Sequence, residues 1–282
     1  MNRRSFIAMT ALSALAMPAG RLIAGGTSSI LSSILDKAHA GNWENLPFGE
    51  LMGKVGLEFV GTPYEGGTLE STGREQCRVV LDGLDCVTYF ESVLAIAWMI
   101  KNGKTAMSDL VDRVEFTRYR GGKLNGYTSR LHYTAEWIKD NIKKGTVTDV
   151  TPSLGGSDTY FNVNFMSKHP QYYGPLKKSP KLVQEISEIE TSINATKYAV
   201  IPQDLIAKSE SGLKTGDIIA VTTSKRGLDY SHTGMILVKD GVAHFMHASS
   251  THKKVLVDDS VSKYVKSVKA HTGITAVRPT GR

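Results

Sequence analysis

The sequence predicts an α+β domain in which helices come first and an antiparallel sheet comes last. Three observations carry this. Residues 86–101 repeat apolar side chains at helical spacing (Val87, Phe90, Val93, Leu94, Ala97, Trp98), which marks one buried face. The C-terminal segments GDIIAVTT, SHTGMILV, VAHFMHAS, KKVLVD and ITAVRP alternate in the two-residue rhythm of strands. Helices and strands do not interleave, which disfavours parallel βαβ units.

The chain opens on MNRRSFIAMTALSALAMPAG. Arg3 and Arg4 ahead of an apolar run predict a bacterial export signal, in the residue order of the twin-arginine type. The run is about 15 residues and is broken by Pro18 and Gly20, too short for about 30 Å of hydrocarbon. No Cys follows it to take a lipid. Alanine patterns for cleavage end at Ala16 and Ala40. The expectation is an export signal and leader over 1–40, a single domain over 41–282, a periplasmic location, and no stable membrane anchor after processing.

The formal net charge is +7. Residues 1–40 carry Arg3, Arg4, Arg21 and Lys37 against Asp36, so 41–282 carries +4. This charge is scattered, which with export argues against nucleic acid as a partner and for an acidic envelope polymer.

Within the domain, residues 41–60 predict a helix ending near Gly61. TPYEGGTLESTGREQC follows as a loop, and its glycines lack the spacing of a phosphate loop. RVVLDGLD reads as a short strand and turn. After the 86–101 helix, SDLVDRVEFTRYR predicts a second one. A Gly-rich turn then leads to an amphipathic helix marked by Leu131, Ala135 and Ile138. Residues 146–165 read as β-like or irregular. Residues 166–212 read as a polar connection containing a Glu-rich helix.

Cys77 and Cys86 are the only cysteines. An oxidising compartment allows a disulfide between them. The position of Cys86 argues otherwise. Asp85 is a natural N-cap, so Cys86 falls in the first turn of the helix. There the positive end of the helix dipole favours a thiolate, and the unpaired N–H groups can receive an oxyanion.

A nucleophilic cysteine needs a base. SHTGMILVKDGVAHFMHASS predicts a hairpin with Asp240-Gly241 as its two-residue turn. Lys239 then pairs with Val242, Gly234 faces His247 and His232 faces Ser249. His232 and His247 share a face as diagonal neighbours about 7–8 Å apart, with His244 on the other face. Gly234 leaves room for a ring opposite. Such a pair in a hairpin is more often structural or metal-binding than catalytic, but beside Cys86 it fits a base and its orienting partner, with a Cys86–His232–His247 zinc site as a minor geometric alternative. HExxH, CxxC and GxSxG are all absent, so the residues call for neither a metal nor any other cofactor.

GTPYEGGTLE, LDCVTYFES, YSHTGMI and FMHASS together resemble the NlpC-type cysteine hydrolases of bacterial cell walls, which are similar to papain in core arrangement. RYRGGKLNGYTSRLHYTAEWIKDN resembles more closely their N-acetylmuramoyl-L-alanine amidase-like branch, first described as a domain of unknown function. The resemblance spans about residues 45–280. It implies a helix bearing the Cys packed on an antiparallel sheet bearing the His. It implies Cys86 as nucleophile, His232 as base, His247 as the orienting residue, and Tyr64 near the nucleophile, where its phenol can assist the oxyanion or simply pack. Asp85-Cys86-Val87 departs from the DCS of the wider superfamily, as the amidase-like branch does, which puts stem-peptide endopeptidase activity in doubt. The implied substrates are peptidoglycan fragments (muropeptides, including 1,6-anhydro forms), cleaved between N-acetylmuramic acid and L-alanine. A stem-peptide endopeptidase and a non-catalytic envelope-binding domain with a Cys77–Cys86 disulfide are the alternatives. Candidate substrate-binding residues are Arg130, Asn125, Tyr133, Ser231 and Ser249. Arg130 is the one that core packing explains least, and Tyr133 and Trp137 fit core positions as well.

Overall fold

A computed structural model describes residues 21–23, 26–70 and 73–282. The n-region and apolar run of the expected signal, residues 1–20, lie outside the described residues.

The first half is helical. A short strand β1 (Arg21–Ile23) precedes α1 (Thr27–Ala40) and α2 (Phe48–Leu57). Strand β2 (Cys77–Val79) pairs in parallel with β1, and α3 (Cys86–Lys101), α4 (Met107–Arg118) and α5 (Thr134–Lys143) follow. Helix α3 is the central element. Twelve of its sixteen residues are buried, so it is a core helix rather than the one-faced helix its strongest apolar stripe suggested.

The middle of the chain holds β3 (Val147–Asp149), β4 (Ser157–Thr159), α6 (Phe165–Lys168), α7 (Gly174–Lys178), α8 (Pro180–Asn194), β5 (Tyr198–Pro202) and α9 (Ile206–Ser209). The C-terminal part is β6 (Ile218–Thr223), β7 (Tyr230–Lys239), β8 (Val242–Ser249), β9 (Lys254–Ser260), α10 (Val261–Ser267) and β10 (His271–Pro279). The main sheet runs β4-β5-β10-β6-β7-β8-β9, with β3 also on β10, and every pairing in it is antiparallel. The fold is therefore the expected α+β class.

The two faces of the sheet are covered differently. Met235, Met246, Ala248 and Val255 face the helical layer around α3. Ile236, Phe245, Ile219 and Ile274 face a smaller layer with Val261 and Val265 of α10. The sheet thus stands between two apolar layers.

Two sequence expectations change. The first forty residues are not all outside the fold: α1 buries Leu31, Ile34 and Ala38 in the main core, and its entry is tied to Asp82, which accepts from the Gly26 amide. Ile30, Leu31, Ile34, Leu35 and Ala38 recur at helical spacing here, so the segment carries a helix signal of its own directly after the apolar run read as a leader. The 166–212 connection is also more than decoration, because β5 within it pairs with β10 and β4.

Candidate active site

Asp85 caps α3 as expected. Its Oδ1 accepts the amides of Val87 (3.0 Å) and Thr88 (2.8 Å), while the Thr88 hydroxyl receives the Asp85 amide in return. The cap fixes Cys86 in the first turn, half-buried. It also changes what the helix end offers. Two first-turn amides are consumed by the cap carboxylate, so they are not open to an oxyanion. The Cys86 amide is the first-turn donor outside these two bonds. Burial, and then the Asp85 carboxylate, push the Cys86 thiol up to about 11, against the hydrogen bonds that Thr233 and the Cys86 amide offer its thiolate. At neutral pH the resting group is a thiol, contrary to the thiolate expected of a helix N-terminus. The physical reason is first the burial of the sulfur, to which the anionic cap at the positive end of the helix adds.

The hairpin follows the predicted register. Lys239 pairs with Val242 and Met235 with Met246. Asp240 (φ 51°) and Gly241 (φ 76°) both sit at positive φ, as a two-residue turn of the primed kind requires. His232 and His247 meet: His232 Nε2 lies 2.7 Å from His247 Nδ1, with the rings nearly perpendicular at 89°. The room over Gly234 is filled by the Phe245 ring, which would lie 2.6 Å from a Cβ there. Phe245 stacks on His247 and meets His232 edge-on, so it holds both rings.

Strand β7 is tied to α3 beside Cys86. The Thr233 hydroxyl donates to the Cys86 carbonyl at 2.9 Å. His232 is the preceding residue, and the pairings Val221–His232 and Thr222–Tyr230 leave Ser231 as an extra residue, a bulge on β7 beside it. Such a bulge re-aims a side chain at a sheet end.

The sequence reading missed Asp258 on β9, whose Oδ2 lies 3.4 Å from His247 Nε2. The chain of contacts favours one tautomer set. With the Asp258 carboxylate accepting from Nε2, His247 accepts at Nδ1. His232 must then donate from Nε2, which leaves its Nδ1 lone pair as a base. Burial, with His247 and His271 nearby, lowers His232 to about 3, so it is neutral at pH 7. Tyr264 of α10 was also missed. Its ring packs on Phe245, His247 and His232, and its phenol is raised by burial and by Cys86. No spacing rule marks either residue.

Tyr64 is held by its amide, which donates to the Lys253 carbonyl, and by a bridge to Leu84. Burial, and then Cys86 and Asp85, raise its phenol, which keeps its proton.

Of the substrate-binding candidates, Arg130 is 4% exposed and pairs with Glu70 (2.8 Å) and Glu75 (3.2 Å), and it lines a cavity of about 240 Å³ together with Asp85, Val87, Glu91 and Trp137. Its charge is thus already matched. Tyr133 is buried and donates to Glu190 (2.7 Å), tying α5 to α8, so it is a packing residue. Asn125 is exposed, its amide bonded to Ser129, and it does not line that cavity. Ser231 and Ser249 line a second cavity beside His232, and Ser249 is bonded to His252 at 3.1 Å. Cys77 and Cys86 are not bonded to each other, and the Cys77 thiol is buried against the Val111 carbonyl, so the alternative disulfide is absent from this structure. Among the described residues no three His, Cys, Asp or Glu side chains gather as a metal site, and no helix is long and apolar enough to cross a membrane.

Residues 54–274 match the family described as AmiA-like, N-acetylmuramoyl-L-alanine amidase-like. Among solved structures, an N-acetylmuramoyl-L-alanine amidase from Bacteroides uniformis is similar at 36% identity and a TM-score of 0.78, over 83% of this chain and 99% of that one. A Bacteroides fragilis protein named as a candidate xylanase is similar at 37% identity and 0.74, over 79% and 98%. A Legionella pneumophila protein at 23% identity and 0.66, over 90% and 95%, shares the fold. No curated protein matches. With most of its length matched, this chain belongs to the AmiA-like, N-acetylmuramoyl-L-alanine amidase-like family.

Proposed function

We propose that the protein is a cysteine hydrolase that cleaves the amide between N-acetylmuramic acid and L-alanine in peptidoglycan fragments, including 1,6-anhydro forms, on a papain-like NlpC-type core. The observation that carries this is the chain Asp258–His247–His232, with contacts of 3.4 and 2.7 Å, ending one residue from the Thr233–Cys86 bond. It is the arrangement a general base needs: an imidazole oriented by a second group, with one free lone pair.

The Cys86 thiol gives its proton to His232 Nδ1 as sulfur bonds to the lactyl carbonyl carbon. The carbonyl π electrons move to oxygen, which the Cys86 amide and the Tyr64 phenol receive. His232 then protonates the alanine nitrogen as the C–N bond breaks, leaving a thioester. Water attacks the thioester with His232 as base. The acid departs, and the proton returns to sulfur. Because thiol and imidazole both rest neutral, proton transfer belongs to the attack step and not to a pre-formed ion pair.

Export is part of the reading. Processing after Ala16 keeps α1, whereas processing after Ala40 would strip Leu31, Ile34 and Ala38 from the core. We therefore assign the leader to the segment before α1 and the working protein to the periplasm.

Incubation of the protein with a disaccharide-tripeptide tests the reaction. Free disaccharide and intact tripeptide by mass spectrometry are expected. Fragments cut within the peptide would make it an endopeptidase instead.

A further inference from the structure

The second cavity, about 470 Å³, lies on the α10 side of His232. The first cavity is flanked by Asp85 and Val87, the neighbours of Cys86. The second is lined by His232 itself, with Lys225, Ser231, Ser250, Thr251 and His271. Two of these hold a buried polar atom without a hydrogen-bond partner: Ser231 Oγ and His271 Nδ1. His271 is only 7% exposed. Buried polar atoms are nearly always paired, so two unpaired ones on a single cavity wall mark a place for a polar occupant.

The charge of that occupant follows from its surroundings. Lys225 is exposed at the rim, and burial first, then Lys225, disfavour a charge on His271. His252 is engaged with Ser249. Asp258 also lines the cavity, but its carboxylate is turned to His247. An ammonium, a hydroxyl and an imidazole N–H form a donor set suited to a carboxylate.

We propose that this cavity holds a carboxylate of the peptide that leaves with alanine. The orientation rests on the amidase reading. The acyl part stays on Cys86, while the leaving nitrogen takes its proton from His232. The peptide must therefore depart on the imidazole side, where the cavity lies.

Binding of a leaving-group peptide tests this without turnover. The probe is L-alanyl-D-glutamate, compared with its diamide, titrated calorimetrically into the full chain. The diacid binds about tenfold or more tighter than the diamide, as one charge-assisted contact predicts. Lys225→Glu, at an exposed position, removes that preference, and Ser231→Ala reduces it. Equal affinity for the two peptides, or a preference that survives Lys225→Glu, overturns the proposal. Acid-selective binding by a protein that cleaves no muropeptide would keep the site and remove the amidase reading. Muropeptide cleavage with no acid preference would do the reverse.

Discussion

His232 Nε2 and His247 Nδ1 are 2.7 Å apart, and the far nitrogen of His247 reaches Asp258. This relationship sets the tautomer of His232 and so decides which of its nitrogens can act as a base. Asp258→Asn lets the chain flip, because an amide can donate as well as accept. The expected result is a fall in kcat of about tenfold or more with KM little changed, whereas His232→Ala costs about 10²–10⁴-fold. Steady-state kinetics on a purified muropeptide measure both.

The pH profile carries a second expectation. With His232 lowered to about 3, the base is neutral well below the range of an ordinary histidine. Activity at pH 5 should stay within about twofold of its pH 7 value, where a base of pKa 6.5 would be mostly protonated. Stability follows by linkage. His232 is depressed on folding, so between 6.5 and about 3 the unfolded chain binds more protons. Its contribution is complete above 6.5 and is lost as pH falls toward 3. Asp229 acts oppositely: burial raises it to about 6, so it costs stability as pH rises from 3.8 through about 6. Thermal unfolding from pH 4 to 8 should show His232→Gln flattening the acid side.

Cys86 should alkylate slowly at pH 7, and its rate should climb with pH beyond 9 without a plateau near neutrality. Asp85→Asn keeps a cap acceptor and removes the anion, so it should shift the titration downward. An iodoacetamide rate profile reads both. A plateau near pH 7 in the unmodified chain would establish a resting ion pair instead.

Arg130→Ala should act on stability. The guanidinium is buried against Glu75, so its removal leaves that carboxylate with the Tyr119 hydroxyl as its remaining donor and costs about 3 kcal/mol. Glu91→Gln, which weakens the buried pair with Arg118 (2.7 Å), should also destabilise. Chemical denaturation measures these losses. A raised KM with unchanged stability for Arg130→Ala would restore it to substrate binding.

Local rules explain what was legible in the sequence. Asp85 marks the start of α3 because capping depends on residues three apart. Asp240-Gly241 fixes the hairpin register because positive φ is a property of those two residues, and that register brings the histidines together. The rest depends on distant chain segments. Glu70 and Glu75 reach Arg130 from a loop about 60 residues away, and Asp258 reaches His247 across a β8–β9 pairing whose register shifts between His244 and Met246. The capping motif itself implies that Asp85 takes two α3 amides, which leaves fewer of them for an oxyanion than the helix N-terminus alone suggests. Helix α1 carries its own helical spacing, but it directly follows an apolar run that resembles an export signal.

The central claim is that Cys86 bonds covalently to the muramyl acyl group. Rapid acid quench of the protein mixed with a muropeptide, followed by intact mass and peptide mapping, tests it most directly. The account predicts a transient acyl adduct on the peptide containing Cys86, absent from Cys86→Ala, which also fails to release product. Product release by Cys86→Ala at the rate of the unmodified chain, with no adduct at any time point, would contradict it.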